Sequence, residues 1–185
     1  MRALSVIPSQ PQSLSVQSDH PPPRLAAGEL LVESRLVGIC GTDREIVRGS
    51  YGQAPPNEER LILGHESFGR ILEVGPNVKD LEPGDYVVAT VRRPGNSIYD
   101  RIGTYDMTTD ETYYERGINL RHGYLTERYV DDPEYIVRVP DALKEVGGYW
   151  CRRAWWRRGS IRPTRSNAVS RSGAPSAPPS SAREH

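Results

Sequence analysis

Two short glycine-containing segments constrain the fold of this chain more than any other feature of its sequence. They are Gly38-Ile39-Cys40-Gly41-Thr42-Asp43 and Gly64-His65-Glu66-Ser67-Phe68-Gly69. Cys40, His65 and Glu66 supply a thiolate, an imidazole and a carboxylate, the three ligand types that a catalytic zinc ion uses. A lone Cys is more often a small buried residue, and a His-Glu pair is more often solvated surface. Because the two segments occur together, we predict a zinc site with Cys40, His65 and Glu66 as ligands, Glu66 binding directly or through water.

The pattern around these segments predicts a strand-rich domain. Apolar and β-branched runs indicate strands at 28–39, 67–74 and 86–91, and an edge strand followed by a loop within 1–17. Asp43 or Thr42 can cap a short helical turn that Gly49 stops. Short strands separated by Gly and Pro turns favour a partly open β-barrel. The expected fold class is therefore mainly β (α+β), with short helices.

These residues also carry a resemblance to a known family. Gly64-His65-Glu66-x-x-Gly69-x5-Gly75-x-x-Val78 resembles the zinc signature of the zinc-dependent medium-chain dehydrogenases, and the segment around Cys40 is similar to their upstream cysteine motif. The stretch from Arg92 to Pro140 looks like the glucose 1-dehydrogenase branch of archaeal and halophilic type. The resemblance implies a GroES-like catalytic domain, which we place at residues 1–148.

The resemblance further implies which groups act in the reaction. It implies one catalytic zinc ion, a nicotinamide cofactor and oxidation of the C1 hydroxyl of an aldose to a lactone. Thr42 would then join the proton relay and touch the substrate, or its hydroxyl would merely cap the turn. Glu115 would contact the sugar, although without the resemblance it would be taken for an exposed carboxylate. No structural zinc is expected, because residues 92–117 contain no cysteine.

Length and composition limit the remaining possibilities. At 185 residues the chain suits one domain, whereas complete enzymes of the resembled family are about twice as long. No Gly-x-Gly-x-x-Gly motif is present, so we expect no nucleotide-binding Rossmann half and assign no cofactor-binding residue. No stretch has the apolar length of a membrane span or a signal peptide, which makes the cytoplasm the expected location. Oligomeric state and the choice between NAD and NADP stay open.

The last part of the sequence has a different character. Residues 149–185 hold eight Arg and one acid, a net charge of +7, which leaves −7 for residues 1–148. All three Trp lie in this segment, which is also rich in Ser and Pro. We expect a disordered tail and interpret it as the product of a shifted reading frame. A chain ending in this way is expected to be inactive by itself.

Two other functions remain open from the sequence. A zinc alcohol or polyol dehydrogenase acting on another substrate would use the same metal motif. A non-catalytic GroES-like domain could instead bind nucleic acid or a protein partner through the basic tail, since interleaved Arg and Trp suit such contacts. We favour the sugar dehydrogenase and expect no nucleic-acid binding. Bound zinc and the absence of salt-dependent DNA retention would separate the two classes.

Overall fold

Among residues 1–146, which the computed structural model describes, eleven short β-strands form three sheets. The strands are β1 (Ala3–Val6), β2 (Ser15–Gln17), β3 (Leu30–Gly38), β4 (Leu61–Ile62), β5 (Glu66–Val74), β6 (Tyr86–Ala89), β7 (Arg92–Arg93), β8 (Tyr114–Arg116), β9 (Leu120–Arg121), β10 (Arg128–Asp131) and β11 (Ile136–Arg138). The helices are α1 (Gly41–Val47) and α2 (Ile98–Arg101), with 3₁₀ turns at Tyr105–Met107, Pro133–Tyr135 and Asp141–Val146. The mainly β fold with short helices is thus confirmed. The tail predicted at 149–185 lies outside the described residues.

The largest sheet has five antiparallel strands in the order β10-β3-β5-β6-β11. Its edge strands are β10 and β11. Strands β3 and β5 run side by side over almost their full length, and their ladder ends where Gly38 pairs with Glu66. The chain leaves β3 at the same end of the ladder at which it enters β5. This register brings the two predicted metal segments together.

Side chains alternate between the two faces of this sheet along each strand, and buried clusters lie on both faces. One cluster of buried side chains joins the inner face of the sheet to two buried tyrosines; its members are Leu30, Val32, Ile71, Val87, Ala89, Tyr124, Tyr129 and Ile136. A smaller cluster on the opposite face consists of Phe68, Val88 and Val139. Burial of each large aliphatic side chain stabilises the fold by about 1.5–3 kcal/mol. The central strands β5 and β6 are therefore covered on both sides.

The first strand differs from its prediction. We expected an edge strand near the amino terminus, but β1 lies in the middle of a three-stranded sheet in the order β2-β1-β4. The expectation was wrong because Ser15–Gln17, in a polar stretch taken for a loop, pairs with β1. On the other side, β1 pairs with β4, the strand that leads into the Gly64-His65 segment. The amino terminus thereby supports the approach to the predicted metal site.

Helix α1 follows Cys40 directly. It is anchored by Ile46, which is fully buried in a third cluster with Val6 and Leu61. The helix ends at Val47 with Arg48 as its C-cap, and Gly49 follows with a φ of 79° that favours glycine. The predicted helical turn and its stop are confirmed. None of the helices within residues 1–146 has the length and apolar character needed to cross a membrane.

Candidate metal centre

The end of the β3–β5 ladder brings the sulfur of Cys40 and the imidazole of His65 together. Cys40 stands two residues beyond β3, and His65 stands one residue before β5. The Sγ atom of Cys40 and Nε2 of His65 lie 3.1 Å apart. His65 is buried and Cys40 is partly exposed, so the pair faces a surface that a ligand can reach.

The segment before His65 is held by close backbone contacts. Gly64 has a φ of 90°, a conformation that residues with a Cβ rarely adopt. Its carbonyl accepts a hydrogen bond from the Tyr124 N–H at 2.9 Å. A Cβ on Gly123 would lie only 2.2 Å from that same carbonyl oxygen. Glycine at these two positions lets two chain segments cross at contact distance, which fixes where His65 begins its strand.

Asp43 completes the group, and the sequence did not mark it as part of the site. It is buried at the third position of α1, and its Oδ2 accepts the Cys40 N–H at 2.8 Å. Its Oδ1 lies 3.5 Å from Nδ1 of His65. The ligand atoms of Cys40, Asp43 and His65 all lie within 4.8 Å of one another. The sequence feature that could have identified it is the Cys-x-x-Asp spacing. In a helix that Cys40 caps, this spacing brings the Asp43 carboxylate within reach of the Cys40 N–H.

The positive charge of a protonated His65 and the negative charge of Asp43 stabilise each other. Burial alone would lower the pKa of His65, but the nearby Asp43 carboxylate, with a smaller contribution from Cys40, raises it above its ordinary value. Burial would raise the pKa of Asp43, yet interactions with His65 and the Cys40 N–H lower it. Asp43 is thus an anion that faces Nδ1 and leaves Nε2 directed at the sulfur.

This donor set fits a zinc ion. Zinc bound at Nε2 leaves the proton on Nδ1, and a ligating histidine usually donates that N–H to a carboxylate. Oδ1 of Asp43 and Nδ1 of His65 are both buried, and neither has a hydrogen-bond partner within residues 1–146. A bound ion would fix the tautomer that satisfies both atoms. Cys40 and His65 could therefore hold the metal, with Asp43 orienting the imidazole.

Glu66, the third ligand predicted from the sequence, lies beside this group but is not one of the three. Its partly buried side chain folds over Gly38, the residue opposite it in the β3–β5 ladder. A Cβ on Gly38 would come within 2.1 Å of Oε2 of Glu66. Gly38 therefore leaves room for the Glu66 carboxylate at the end of the ladder. Ligation by Glu66 stays a prediction.

Thr42 occupies the second position of α1, next to the metal group. Thr42 is partly buried. The backbone N–H of Cys40, just before the helix, donates to the Asp43 carboxylate and not to the Thr42 hydroxyl. Of the two capping residues considered from the sequence, Asp43 takes that role. The Thr42 hydroxyl is thus not needed to cap the helix. Its part in a proton relay stays a prediction.

Glu115 is buried, not exposed as it would be expected without the family resemblance. It lies on β8 directly opposite Arg92 on β7, and its Oε1 is 3.2 Å from Nη2 of Arg92. Burial raises the pKa of Glu115, while the charges of Arg92 and His65 lower it by less. Two residues beyond Glu115, Gly117 packs against Gly64, the residue before His65, since a Cβ on Gly117 would lie 2.3 Å from the Gly64 carbonyl oxygen. Arg92 was missed because its pairing depends on strand register.

Residues 26–141 match the alcohol dehydrogenase GroES-like domain. The chain belongs to this family. The motif around Cys40 and the segment from His65 onward both lie inside the matched region. The β3–β5 ladder that brings them together thus lies within the GroES-like domain.

Relatives of this GroES-like domain are glucose 1-dehydrogenases. The enzyme of Methanocella arvoryzae is 43% identical over 148 residues, which are 79% of this chain and 41% of that protein. The enzyme of Haloferax mediterranei is 39% identical over 150 residues, 80% of this chain and 41% of its own length. The predicted resemblance is confirmed. The chain spans about two fifths of the length of these curated relatives.

Solved structures give the same result for the fold. Glucose dehydrogenase from Haloferax mediterranei, in complex with NADP, Zn and gluconolactone, superimposes with a TM-score of 0.71 at 39% identity. The match covers 80% of this chain and 42% of that one. Galactitol-1-phosphate dehydrogenase from Escherichia coli, at 24% identity and a TM-score of 0.66, shares the fold. The predicted GroES-like architecture is thus confirmed.

Proposed function

We propose that this chain provides the catalytic GroES-like domain of a zinc-dependent, NAD(P)-dependent glucose or aldose 1-dehydrogenase. The observation that carries the proposal is the 3.1 Å approach of Cys40 Sγ to His65 Nε2 at the end of the β3–β5 ladder. The relatives' names and the Haloferax complex with NADP, Zn and gluconolactone support the substrate class and the cofactors. The reaction is oxidation of the C1 hydroxyl to a lactone.

In this proposal each residue has a limited task. Cys40 and His65 hold the zinc ion, Glu66 is the candidate for a further ligand, and Asp43 orients the imidazole through Nδ1. When bound, zinc acts as a Lewis acid that lowers the pKa of the sugar hydroxyl. Thr42, on the first turn of α1, would take part in a proton relay, in which its hydroxyl takes up the sugar hydroxyl proton while passing its own proton on to water, and the hydride from C1 would go to the nicotinamide cofactor. Glu115 would accept hydrogen bonds from neighbouring sugar hydroxyls and so orient the ring.

A chimera gives the most direct test of the activity. Residues 1–146 would replace the matching part of the Haloferax mediterranei glucose dehydrogenase, with which they share the fold. We expect the chimera to oxidise glucose with a nicotinamide cofactor. The Cys40→Ser chimera should lose both zinc and activity, whereas Cys40→Ser protein that keeps its metal would remove Cys40 from the site. A folded, zinc-loaded chimera that oxidises no aldose would refute the proposed substrate class.

Assays of the same chimera against simple alcohols and polyols address the alternative substrate. A preference for a non-sugar alcohol would favour an alcohol or polyol dehydrogenase. The nucleic-acid alternative rests on the basic composition of residues 149–185, which lie outside the described structure. The dehydrogenase proposal predicts a metal-binding chain that DNA does not retain in a salt-dependent way. A cytoplasmic location and the absence of a structural zinc remain predictions.

A further inference from the structure

Arg92 and Glu115 form a largely buried ion pair. They face each other across the β7–β8 ladder, with Nη2 of Arg92 and Oε1 of Glu115 3.2 Å apart. Their side chains are only 19% and 8% exposed. Because little water reaches the pair, each charge depends on the other more than surface charges do.

The other contacts of Arg92 hold the guanidinium in one place. Its centre lies 4.7 Å from the centroid of the Tyr113 ring, a distance at which a cation is attracted to the ring face. The Tyr113 hydroxyl is in turn hydrogen-bonded to that of Tyr51 at 2.9 Å. Nη1 of Arg92 is buried and has no hydrogen-bond partner in the described part of the chain. Arg92 is thus held between the Tyr113 ring and the Glu115 carboxylate.

The charges around Glu115 show why the fixed position of Arg92 matters for the ionisation of that carboxylate. Burial acts against its ionised form, and Arg92 and His65 act in its favour, whereas Asp106 opposes ionisation. Arg92 is the larger of the two favourable influences. The Tyr51 phenol, whose pKa is raised chiefly by its bond to Tyr113, stays neutral and adds no charge. Arg92 is therefore the group that most favours the ionised form of Glu115 against the effect of burial.

We propose that Arg92 is the positioning residue for Glu115: it fixes the carboxylate in place across the β7–β8 ladder and favours its ionised form. An ionised carboxylate only accepts hydrogen bonds, through two oxygens. A carboxylate so held suits adjacent hydroxyl groups of a sugar, each of which donates one hydrogen bond. This last step rests on the proposed function, but the ion pair does not.

The first experiment needs no sugar. The side-chain carboxyl ¹³C signals of glutamate-labelled, metal-free protein are followed against pH, and the Glu115 signal is identified by its loss in Glu115→Gln. In Arg92→Gln the titration midpoint of Glu115 should move to higher pH than in the unaltered chain. Arg35→Gln is the matched control, because Arg35 pairs with Glu33 on the surface and its side chain is 51% exposed. It should leave the Glu115 midpoint unchanged.

Two further variants keep the test decisive if Arg92→Gln does not fold. Arg92→Lys keeps a cation but not the planar guanidinium, so the Glu115 midpoint should rise less than in Arg92→Gln. Tyr113→Leu removes the ring that holds Arg92 and should also raise the titration midpoint of Glu115. A midpoint that is the same in every folded variant of Arg92 and Tyr113 as in the unaltered chain would overturn the proposal.

The second experiment measures glucose binding to zinc-loaded protein by ligand-observed NMR. Arg92→Gln should weaken binding about tenfold or more, as loss of a well-placed charge-assisted hydrogen bond does, with zinc content unchanged. Unchanged affinity alongside a shifted Glu115 midpoint would overturn the positioning role and leave only an electrostatic one. If the unaltered chain binds no glucose, the proposed function fails, and the carboxyl titration still decides whether Arg92 keeps Glu115 ionised.

Discussion

Asp43 and His65 form a buried pair in which a carboxylate oxygen faces the imidazole Nδ1 at 3.5 Å. The same carboxylate accepts the Cys40 N–H, so one side chain contacts both residues of the candidate metal centre. Asp43 therefore couples the start of helix α1 to the orientation of the imidazole.

Asp43→Asn should weaken zinc binding by about 10–100-fold, the usual cost of losing a carboxylate behind a histidine ligand. The amide can still accept the Cys40 N–H but carries no charge towards Nδ1. Competition against a chromogenic chelator measures the change. Asp100→Asn is the matched control, because Asp100 caps helix α2 from the same position by accepting the Ser97 N–H at 2.6 Å. Equal effects of the two substitutions would show that Asp43 acts only on the helix.

Gly38→Ala tests whether the Glu66 carboxylate belongs to the metal site. The new methyl group would lie 2.1 Å from Oε2 of Glu66, so the carboxylate must leave its place at the end of the ladder. We expect weaker zinc binding, measured by titration calorimetry. Gly41→Ala is the control, since a Cβ there meets nothing within 4 Å. Zinc affinity unaltered by Gly38→Ala would exclude Glu66 as a ligand in this position.

Glu115→Gln should stabilise the metal-free domain at neutral pH. The pKa of Glu115 is raised by burial, so the folded state favours its protonated form, and the ionised form destabilises the fold above that pKa. Gln imitates the protonated form. The variant should therefore melt at a higher temperature than the unaltered domain at pH 7, and the difference should shrink as the pH falls and Glu115 itself becomes protonated. A difference that grew towards acid pH would contradict the assigned direction.

Asp131→Ala should destabilise the domain by about 3–5 kcal/mol, the cost of leaving a buried charge without its partner. Asp131 is buried and accepts from Nη2 of Arg93 at 2.5 Å, and it also lies 3.4 Å from Arg116. The guanidinium of Arg93 would lose its anion inside the fold. Chemical denaturation of metal-free protein measures the loss. Glu33→Gln, which breaks an exposed ion pair with Arg35, should cost less than about 1 kcal/mol.

The approach of Cys40 to His65 was predictable because both motifs are local and their spacing is typical of a known family. A strand leading to Cys40 and another leaving His65 needed only to pair, and the β3–β5 ladder does this. The burial of Glu115 was not predictable from composition, because its Tyr-rich surroundings look like a polar loop. Its burial depends on the pairing of β7 with β8, a contact between distant parts of the chain.

The position of β1 illustrates the same limit. Residues 15–17 carry Ser, Val and Gln in a Pro- and Ser-rich stretch that locally favours a loop. They become a strand because β1 offers an unpaired edge, and tertiary pairing overrides weak local preference. Asp43 and Arg92 escaped notice for a related reason. Their partners are defined by the folded arrangement, and nothing in the residue type alone distinguishes them from solvated charges.

Cobalt substitution at the candidate centre tests the central claim most directly. Co²⁺ takes the same sulfur and nitrogen ligands as zinc, and a thiolate ligand adds an intense near-ultraviolet charge-transfer band. We predict one Co²⁺ per chain with that band, loss of the band in Cys40→Ser, and a further loss of affinity in His65→Ala. Unchanged spectra and stoichiometry in both variants, or no metal bound by the folded chain, would contradict the convergence of Cys40 and His65 on one ion.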